Sequence, residues 1–344
     1  MIYFFLGLII VLFAIIDAIE TSKLSSALYG LVIFLFIVFL AGLRDRVGTD
    51  WIAYHNAYIY NDWDVEFGYQ FFNSLFSRLK IPYNFFLLFL NFLSLSLYYF
   101  GLKRYAYLFV ISILIFYSDY FMYYNLSGIR QAVAISFIVF GVKYVVERKF
   151  FKFLFILLCA CSFHITSFIF LIAYFIPFRK INKKEAFVAI AFFFSLSFLI
   201  FAILELLSGD LARKAMFYLE WQENAPNLKQ LFIIGALKRA IILIMVWIFG
   251  KKLWDNKIAF FFLNLYLFGY GIYLSTYLLS PDMGVRFSSY FIIFEIFLAG
   301  QLLYVNKKLT TRLIIASIFC IVSLYKIYTY SILDTYQYHF IFSN

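Results

Sequence analysis

Apolar runs of about 18 residues or more recur along the whole chain, and each is long enough to cross the hydrocarbon core of a bilayer as a helix. Of the 344 residues, 65% are hydrophobic and 14% are charged. In a typical soluble domain about 25% of the residues are charged. Backbone polar groups in lipid must bond within their own segment, which favours helices. The sequence therefore predicts an all-α fold, a polytopic transmembrane helical bundle that forms a single integral membrane domain over residues 1–344 with no separate soluble domain.

The boundaries of the apolar runs predict about ten full spans and one segment that does not cross. The first run has neither a basic n-region nor a small-residue cleavage site, so we interpret it as a retained span and not as a signal peptide. The predicted spans are 1–19, 26–43, 82–100, 105–123, 127–146, 184–207, 232–250, 257–280, 287–304 and 309–331.

Residues 150–178 are the exception to simple alternation across the membrane. The stretch is almost wholly apolar, with His164 near its middle and basic residues on both sides, Lys143 to Lys152 before and Arg179 to Lys184 after. Cytoplasmic loops collect Lys and Arg, so a single crossing would put one cluster on the wrong side. We therefore predict a re-entrant hairpin with His164 at its tip. Non-helical backbone at membrane depth is tolerated where it is buried in protein or lines a watery cavity, so the tip is a candidate functional position.

The charge pattern also predicts the orientation. With the Lys103–Arg104 turn in the cytoplasm and the hairpin in place, the positive charge concentrates on the cytoplasmic side and both termini lie outside. The net charge of +11 is then explained by basic residues that orient the protein in the membrane and face anionic lipid, and it requires no nucleic acid partner. All the cysteines fall in apolar runs, which indicates small core residues and no disulfide.

In this orientation the outer face carries the unusual polar residues. The outer loop 44–81 is the longest connection there, and its second half has aromatic residues and leucines at helical spacing, typical of a helix in the membrane interface. A second outer loop, 208–231, is polar. Arg130 begins a predicted span, where a helix N-terminus and a guanidinium together favour an anion, and Arg286 begins another.

The chain resembles the EpsG-like membrane proteins, which are related to the Wzy-type polymerases of bacterial surface polysaccharides. The resemblance covers most of residues 40–300 and departs from the family pattern at Ser127, where Asn is more frequent and where Asn125 could substitute, and at Ile165, where a basic residue is usual. It is carried, in the family's order, by LRDRVGTDWIAYHNAY, EFGY at 66–69, SGIRQAVAISF at 127–137, CSFHITSF at 161–168 and VRFSSYF at 285–291.

This resemblance implies a glycosyltransferase that joins oligosaccharide repeat units carried on undecaprenyl diphosphate, at the outer face of the bacterial inner membrane, during O-antigen, capsule or exopolysaccharide synthesis. Its partners would be these lipid-linked glycans and membrane lipid, with a chain-length regulator and a flippase as candidate protein partners. The leaving group is a diphosphate, and arginines can stabilise its charge without a metal. We predict no cofactor and no metal.

The candidate residues follow from that chemistry. The arginines near the outer boundary are candidates for binding diphosphate, the acidic residues and the histidine are candidates for the base that takes the acceptor hydroxyl's proton, and neighbouring polar residues are candidates for sugar contacts. The diphosphate candidates are Arg130, Arg286, Arg44 and Arg46; the base candidates are His164, Asp50 and Glu66; the sugar candidates are Gln131, Asn125, Tyr54 and Tyr69.

Structural alternatives stand beside these roles. Arg44 and Arg46 can reach from a span end to lipid headgroups, and Arg130 can anchor the start of its span in the same way. Arg286 can pair with Asp282, and Asp50 can cap a helix that begins at the next residue. His164 can be a core histidine bonded to a backbone carbonyl that the turn leaves free. Among functions, a lipid-linked oligosaccharide flippase or transporter would be expected to show internal repeats and interrupted spans at the membrane midplane. The sequence has no such repeat, which favours the polymerase, while an O-antigen ligase uses the same chemistry and stays open.

Overall fold

The computed structural model describes residues 1–60, 65–206 and 227–342. Helices make up nearly all of this part of the chain, as the apolar runs predict. The α-helices are α1 (Ile2–Glu20), α2 (Lys23–Gly42), α3 (Trp51–Tyr60), α4 (Phe67–Arg78), α5 (Tyr83–Tyr105), α6 (Phe109–Phe116), α7 (Ile129–Val146), α8 (Phe150–Cys161), α9 (Lys183–Leu206), α10 (Leu228–Phe249), α11 (Lys257–Thr276), α12 (Pro281–Ile292), α13 (Glu295–Val305) and α14 (Leu309–Ser331). A π-helix covers Tyr117–Asn125, 3-10 helices cover Ile165–Phe175, Lys251–Asp255 and Asp334–Tyr336, and the strands are β1 (Arg44–Asp45) and β2 (His339–Phe340).

Among the described residues, 7 helices are long and apolar enough to cross a membrane, or up to 8 if the bent pair α12 and α13 is one span. The protein is therefore a multi-pass membrane protein, but the predicted number of about ten spans is not confirmed. The predicted span 105–123 consists of the short helix α6 continued by the π-helix. The predicted span 184–207 coincides with α9 and does not count among the 7.

The chain divides into two compact units, residues 1–174 with 296–344 and residues 175–295. In the first unit, ends of helices that are predicted to lie outside meet one another. The Asn84 side-chain amide donates to the Arg44 carbonyl at 3.3 Å, and the Arg44 guanidinium donates to the Asn125 carbonyl at 3.0 Å. At the opposite end of the same helices, Arg104 pairs with Glu147. Helices α5 and α7 therefore run in the same direction, as the predicted topology requires.

A buried carboxylate, that of Asp17, links three helices at the end of the first unit that lies opposite Arg44. Asp17 of α1 accepts hydrogen bonds from the Ser26 hydroxyl at 2.7 Å and from the Val110 backbone N–H at 3.1 Å. The Ser26 hydroxyl in turn accepts from the Phe109 N–H at 2.6 Å. The first backbone donors of α6 thus find partners from two other helices, which ties α1, α2 and α6 together.

Most of the segment predicted as a re-entrant hairpin, residues 150–174, folds back on itself within the first unit. Tyr174 near its end donates its hydroxyl to the Arg148 carbonyl at 3.0 Å, and the Arg148 guanidinium donates to the Tyr174 carbonyl at 2.6 Å. Helix α8 has 12 residues, about 18 Å at the usual rise, which is well short of the roughly 30 Å of a hydrocarbon core. Helix α8 alone is therefore too short to cross, and a re-entrant path through the membrane with His164 in the turn stays a prediction.

The side of the membrane on which this hairpin opens remains a prediction that labelling can test. In a background without Cys159, Cys161 and Cys320, we expect single cysteines at positions 149 and 181 to react with an impermeant maleimide only from the cytoplasmic side. Labelling of the two positions from opposite faces would contradict the re-entrant topology.

The second unit contains α9 to α12. Asn264 of α11 donates to the carbonyls of Pro177 and Arg179 at 2.8 and 2.9 Å, which fixes the chain that leads into α9. Arg239 of α10 lies over the ring of Tyr273 at 3.8 Å and donates to the Gly235 carbonyl at 3.1 Å. Its charge is thus held against an aromatic face, as the cost of a charge within a span requires.

Candidate functional site

An ion pair between Arg130 and Glu66 forms the centre of the candidate site. Arg130 is the second residue of α7, and its Nη1 lies 2.5 Å from Glu66 Oε2. Both side chains are less than a fifth exposed, so the pair is largely withdrawn from solvent while still reachable. The N-terminus of α7 adds the positive end of the helix dipole at the same point.

Two tyrosines hold the guanidinium in place. The Arg130 Nε donates to the Tyr54 hydroxyl at 3.2 Å, and the guanidinium carbon lies 5.8 Å from the centre of the Tyr54 ring and 6.0 Å from that of Tyr69. The two rings are themselves 5.6 Å apart. Burial raises the pKa of the Tyr69 phenol well above its usual value, so this ring stays neutral. Arg130 is therefore a cation oriented by two aromatic rings and one carboxylate.

Glu66 also joins this centre to the tip of the hairpin. Its Oε1 accepts the backbone N–H of Ile165 at 3.1 Å. Two residues later, the Gly68 N–H donates to the Ser162 carbonyl at 2.7 Å, and a Cβ at Gly68 would lie 2.5 Å from the Ser162 hydroxyl. Only a residue without a side chain allows this approach. The EFGY segment is therefore docked on the hairpin turn.

His164 lies in that turn, directly before the residue that binds Glu66. Its side chain is nearly buried, and its Nδ1 lies 2.7 Å from the Thr166 hydroxyl. The hydroxyl fixes the ring orientation, and if it accepts a proton from Nδ1, then Nε2 is the basic nitrogen. Two of the base candidates are therefore neighbours, since Glu66 is bonded to the residue that follows His164. The third, Asp50, accepts a hydrogen bond from the Thr49 hydroxyl at 2.9 Å.

Helix α4 follows the centre directly in the chain and is amphipathic. It begins directly after Glu66, and the apolar residues exposed along it recur at four-residue spacing. They are Phe67, Phe71, Leu75 and Leu79. This amphipathic pattern confirms the predicted helix, and a location in the interface, where such a stripe would be buried in lipid, stays a prediction.

Arg44 has a structural role that the sequence did not predict. Its side chain is 2% exposed and donates to the carbonyls of Val47, Ala41, Asn125 and Leu126. Burial lowers the pKa of this guanidinium, yet it stays protonated because arginine starts so high. Four backbone carbonyls occupy its donors, so Arg44 joins the end of α2 to the turn before α7, and we leave it out of the proposed anion site.

The C-terminal segment packs on the same turn. Strand β2 pairs antiparallel with β1, and the Gly48 N–H donates to the Thr335 carbonyl at 2.8 Å. The Ser127 hydroxyl accepts from the Thr49 N–H at 3.1 Å and lies 2.9 Å from the Tyr336 hydroxyl. Ser127 therefore links three segments, which is a role for the position where the family pattern has Asn.

Gly48 is the least replaceable residue of this junction. Its φ is +100°, and a Cβ there would lie 1.9 Å from the Leu126 carbonyl oxygen. We expect Gly48→Ala to destabilise the protein by about 2–4 kcal/mol, because left-handed strain adds to an overlap with backbone that cannot move alone. Thermal unfolding in detergent should show the loss, with Ser77→Ala in α4 as a mild control. An unchanged melting temperature would contradict this account of the junction.

Other predicted residues lie elsewhere or are committed to internal contacts. Asn125 is 0% exposed, and its amide donates to Asn91 Oδ1 at 3.1 Å and to the Ser94 hydroxyl at 3.3 Å, so it offers no surface to a sugar. Gln131, Tyr54 and Tyr69 are also buried. The two tyrosines pack on Arg130, and the sugar contacts of these residues stay a prediction.

The remaining arginine candidates are Arg46 in the first unit and Arg286 in the second. Arg46 is exposed and has a positive φ of 51° in the loop after β1. Arg286 belongs to the second unit, where its Nε donates to Asp282 Oδ1 at 2.8 Å. This pair is the structural alternative noted for Arg286. Most of the predicted outer loop 208–231 lies outside the described residues, and within the described part no three His, Cys, Asp or Glu side chains form a metal-binding group.

A comparison with known families decides the identity of the chain. A model of the EpsG family matches residues 27–342, which is nearly the whole sequence. The chain belongs to the EpsG family. EpsG is a Wzy-like polymerase family, and the match includes every residue of the Arg130–Glu66 centre. No curated protein and no solved structure matches the chain.

Proposed function

We propose that this EpsG protein is a polymerase that joins oligosaccharide repeat units carried on undecaprenyl diphosphate into a surface polysaccharide. The polymerisation would take place at the outer face of the bacterial inner membrane. The observation that carries the proposal is the Arg130 centre, a partly buried guanidinium at a helix N-terminus that is oriented by Tyr54 and Tyr69 and paired with Glu66.

A diphosphate suits this centre electrostatically. In the free protein the Glu66 carboxylate places two oxygens between the Arg130 guanidinium and the Ile165 N–H, which is the arrangement of donors that a phosphate group accepts. We propose that diphosphate oxygens replace Glu66 on the guanidinium when the donor binds, while Glu66 keeps its bond to the hairpin tip. The fork of Arg130 then meets the group on which negative charge grows during transfer.

The transfer itself exchanges one bond to the anomeric carbon for another. A hydroxyl oxygen of the acceptor glycan attacks that carbon, the bond to the diphosphate oxygen breaks, and the hydroxyl proton passes to a base. His164 is the base we favour, because the Thr166 hydroxyl orients its ring and because its turn is bonded to Glu66. The electron pair of the broken bond stays on the diphosphate oxygen, and Arg130 stabilises this negative charge until the lipid diphosphate leaves.

Reconstitution with defined substrates tests this function. The purified protein in proteoliposomes should convert undecaprenyl-diphosphate-linked repeat units into a ladder of lengthening chains, without nucleotide sugar, chain-length regulator or flippase. Movement of repeat units across the membrane with no ladder would favour a transporter. A single transfer to a lipid A core with no ladder would favour a ligase, and either result would contradict the proposal.

A further inference from the structure

A basic cleft lies at the end of the first unit that is opposite the Arg130 centre. It has a volume of about 400 Å³ and lies between the start of α2 and the end of α5. Three cationic and three phenolic side chains line it, Lys23, Lys103, Arg104, Tyr99, Tyr105 and Tyr107. The charge pattern predicts that this end faces the cytoplasm. None of these residues takes part in the proposed transfer.

The positive charge of the cleft is poorly compensated from within the protein. Arg104 pairs with Glu147, which also pairs with Lys149. Among the described residues, neither Lys23 nor Lys103 forms an ion pair, and the Lys23 ammonium lies 4.4 Å from the centre of the Tyr107 ring.

The position of Lys23 makes the arrangement costly without an anion. Lys103 and Arg104 stand in the last turn of α5, where a cation is favourable, but Lys23 is the first residue of α2, where the helix dipole disfavours a cation. The cation–π contact with Tyr107 offsets part of this cost. An anion in the cleft would remove the repulsion among the three cations.

The wall of the cleft identifies the kind of anion. Leu24 and Leu28 line it and are 73% and 55% exposed. They lie on the surface of a membrane-spanning helix, so they would face acyl chains. A ligand that meets the cations with a phosphate and these leucines with hydrocarbon is a phospholipid.

We propose that this cleft binds the headgroup of an anionic phospholipid, with the phosphate between Lys23, Lys103 and Arg104 and an acyl chain along Leu24 and Leu28. The tyrosines frame the headgroup at the membrane boundary, as aromatic residues do at bilayer interfaces. The site is separate from the proposed catalytic centre and does not depend on the proposed reaction.

Native mass spectrometry of the full-length protein with phosphatidylglycerol and phosphatidylcholine tests the site. We expect tight retention of one phosphatidylglycerol and an affinity about fivefold lower for each lysine removed, so about 25-fold lower for the double variant Lys23→Gln/Lys103→Gln. The matched control is Lys152→Gln/Lys308→Gln, which removes two lysines predicted to face the same side but outside the cleft. We expect it to change the affinity less than about twofold. Lys103→Arg keeps the positive charge and should retain binding. This result would show that the loss in the glutamine variants comes from the missing charge and not from misfolding.

Three results would overturn the proposal. An equal loss of phosphatidylglycerol in both double variants would mean a diffuse surface charge and no site. Equal retention of phosphatidylcholine would mean that the anionic headgroup is not recognised. Displacement of the lipid by glycerol 3-phosphate at the same concentration would assign the cleft to a soluble phosphate instead of a lipid.

Discussion

Replacement of Arg130 by alanine should abolish the polymer ladder while the protein still inserts and accumulates. The guanidinium is the group that we propose meets the developing charge of the leaving diphosphate, and loss of one such donor typically costs about 100- to 1,000-fold in rate. Arg130→Lys should rescue little, because an ammonium cannot reproduce a fork that contacts Tyr54 and Glu66 at once. Ladder length and initial rate from purified lipid-linked repeat units measure both variants.

Two controls separate catalysis from folding. Arg130→Ala leaves the Glu66 carboxylate partly buried without its ion pair, which by itself costs stability. The double variant Arg130→Gln/Glu66→Gln removes both charges at similar size, so it should unfold close to the wild-type temperature and still make no ladder. Arg78→Ala, at the exposed end of α4, should polymerise normally. Normal ladders from Arg130→Lys would contradict the proposed two-point contact of the guanidinium with the diphosphate, since a simple positive charge would then suffice.

His164→Ala should lower the rate of transfer by about 100- to 10,000-fold, the usual contribution of a general base. His164→Gln retains a hydrogen-bonding side chain of similar length that can reach the Thr166 hydroxyl, but it is not basic. We therefore expect it to be as inactive as the alanine variant. Thr166→Val removes the hydroxyl that orients the ring and should cost less, about tenfold, with a shifted pH–rate profile. Initial rates across pH 5 to 9 measure all three.

Variants of the other two base candidates, Asp50 and Glu66, test whether one of them is the base instead. Asp50→Asn keeps the shape of the side chain and its contact with Thr49, and we expect near-normal rates. Glu66→Gln keeps an acceptor for the Ile165 N–H but loses the pair with Arg130, so a loss there with unchanged pH dependence would indicate a positioning role. If His164→Gln polymerises normally and Asp50→Asn does not, the base is Asp50.

Much of this arrangement was predictable from the sequence because two strong signals carry it. Apolar runs of membrane length identify most of the helices, and the basic residues around residues 150–178 indicate a hairpin, which Tyr174 and Arg148 close. The motifs that hold Arg130 and Glu66 were visible as well. That the two side chains pair across 64 positions of sequence was not, because no local pattern encodes a contact of that range.

What the sequence could not show lies in segments without periodicity. The C-terminal segment packs on the turn at Gly48 and Ser127 through one backbone bond, one contact between hydroxyls and a short strand pair. No hydrophobic pattern in the sequence indicates these contacts. Arg44 carries the same signal as Arg46, an arginine at a span end, yet one is buried on four carbonyls and the other is exposed. The predicted count of about ten spans is not confirmed among the described residues, because apolar runs do not reveal where a helix bends or becomes a π-helix.

Direct binding of undecaprenyl diphosphate tests the central claim, that the Arg130 centre is where the lipid diphosphate docks. We predict that the wild-type protein in detergent binds undecaprenyl diphosphate at least about tenfold more tightly than undecaprenyl monophosphate, since a second phosphate adds charge-assisted bonds. Arg130→Ala should remove this preference, and Arg78→Ala should leave it unchanged. Full diphosphate preference in Arg130→Ala would contradict the account and place the diphosphate elsewhere in the protein.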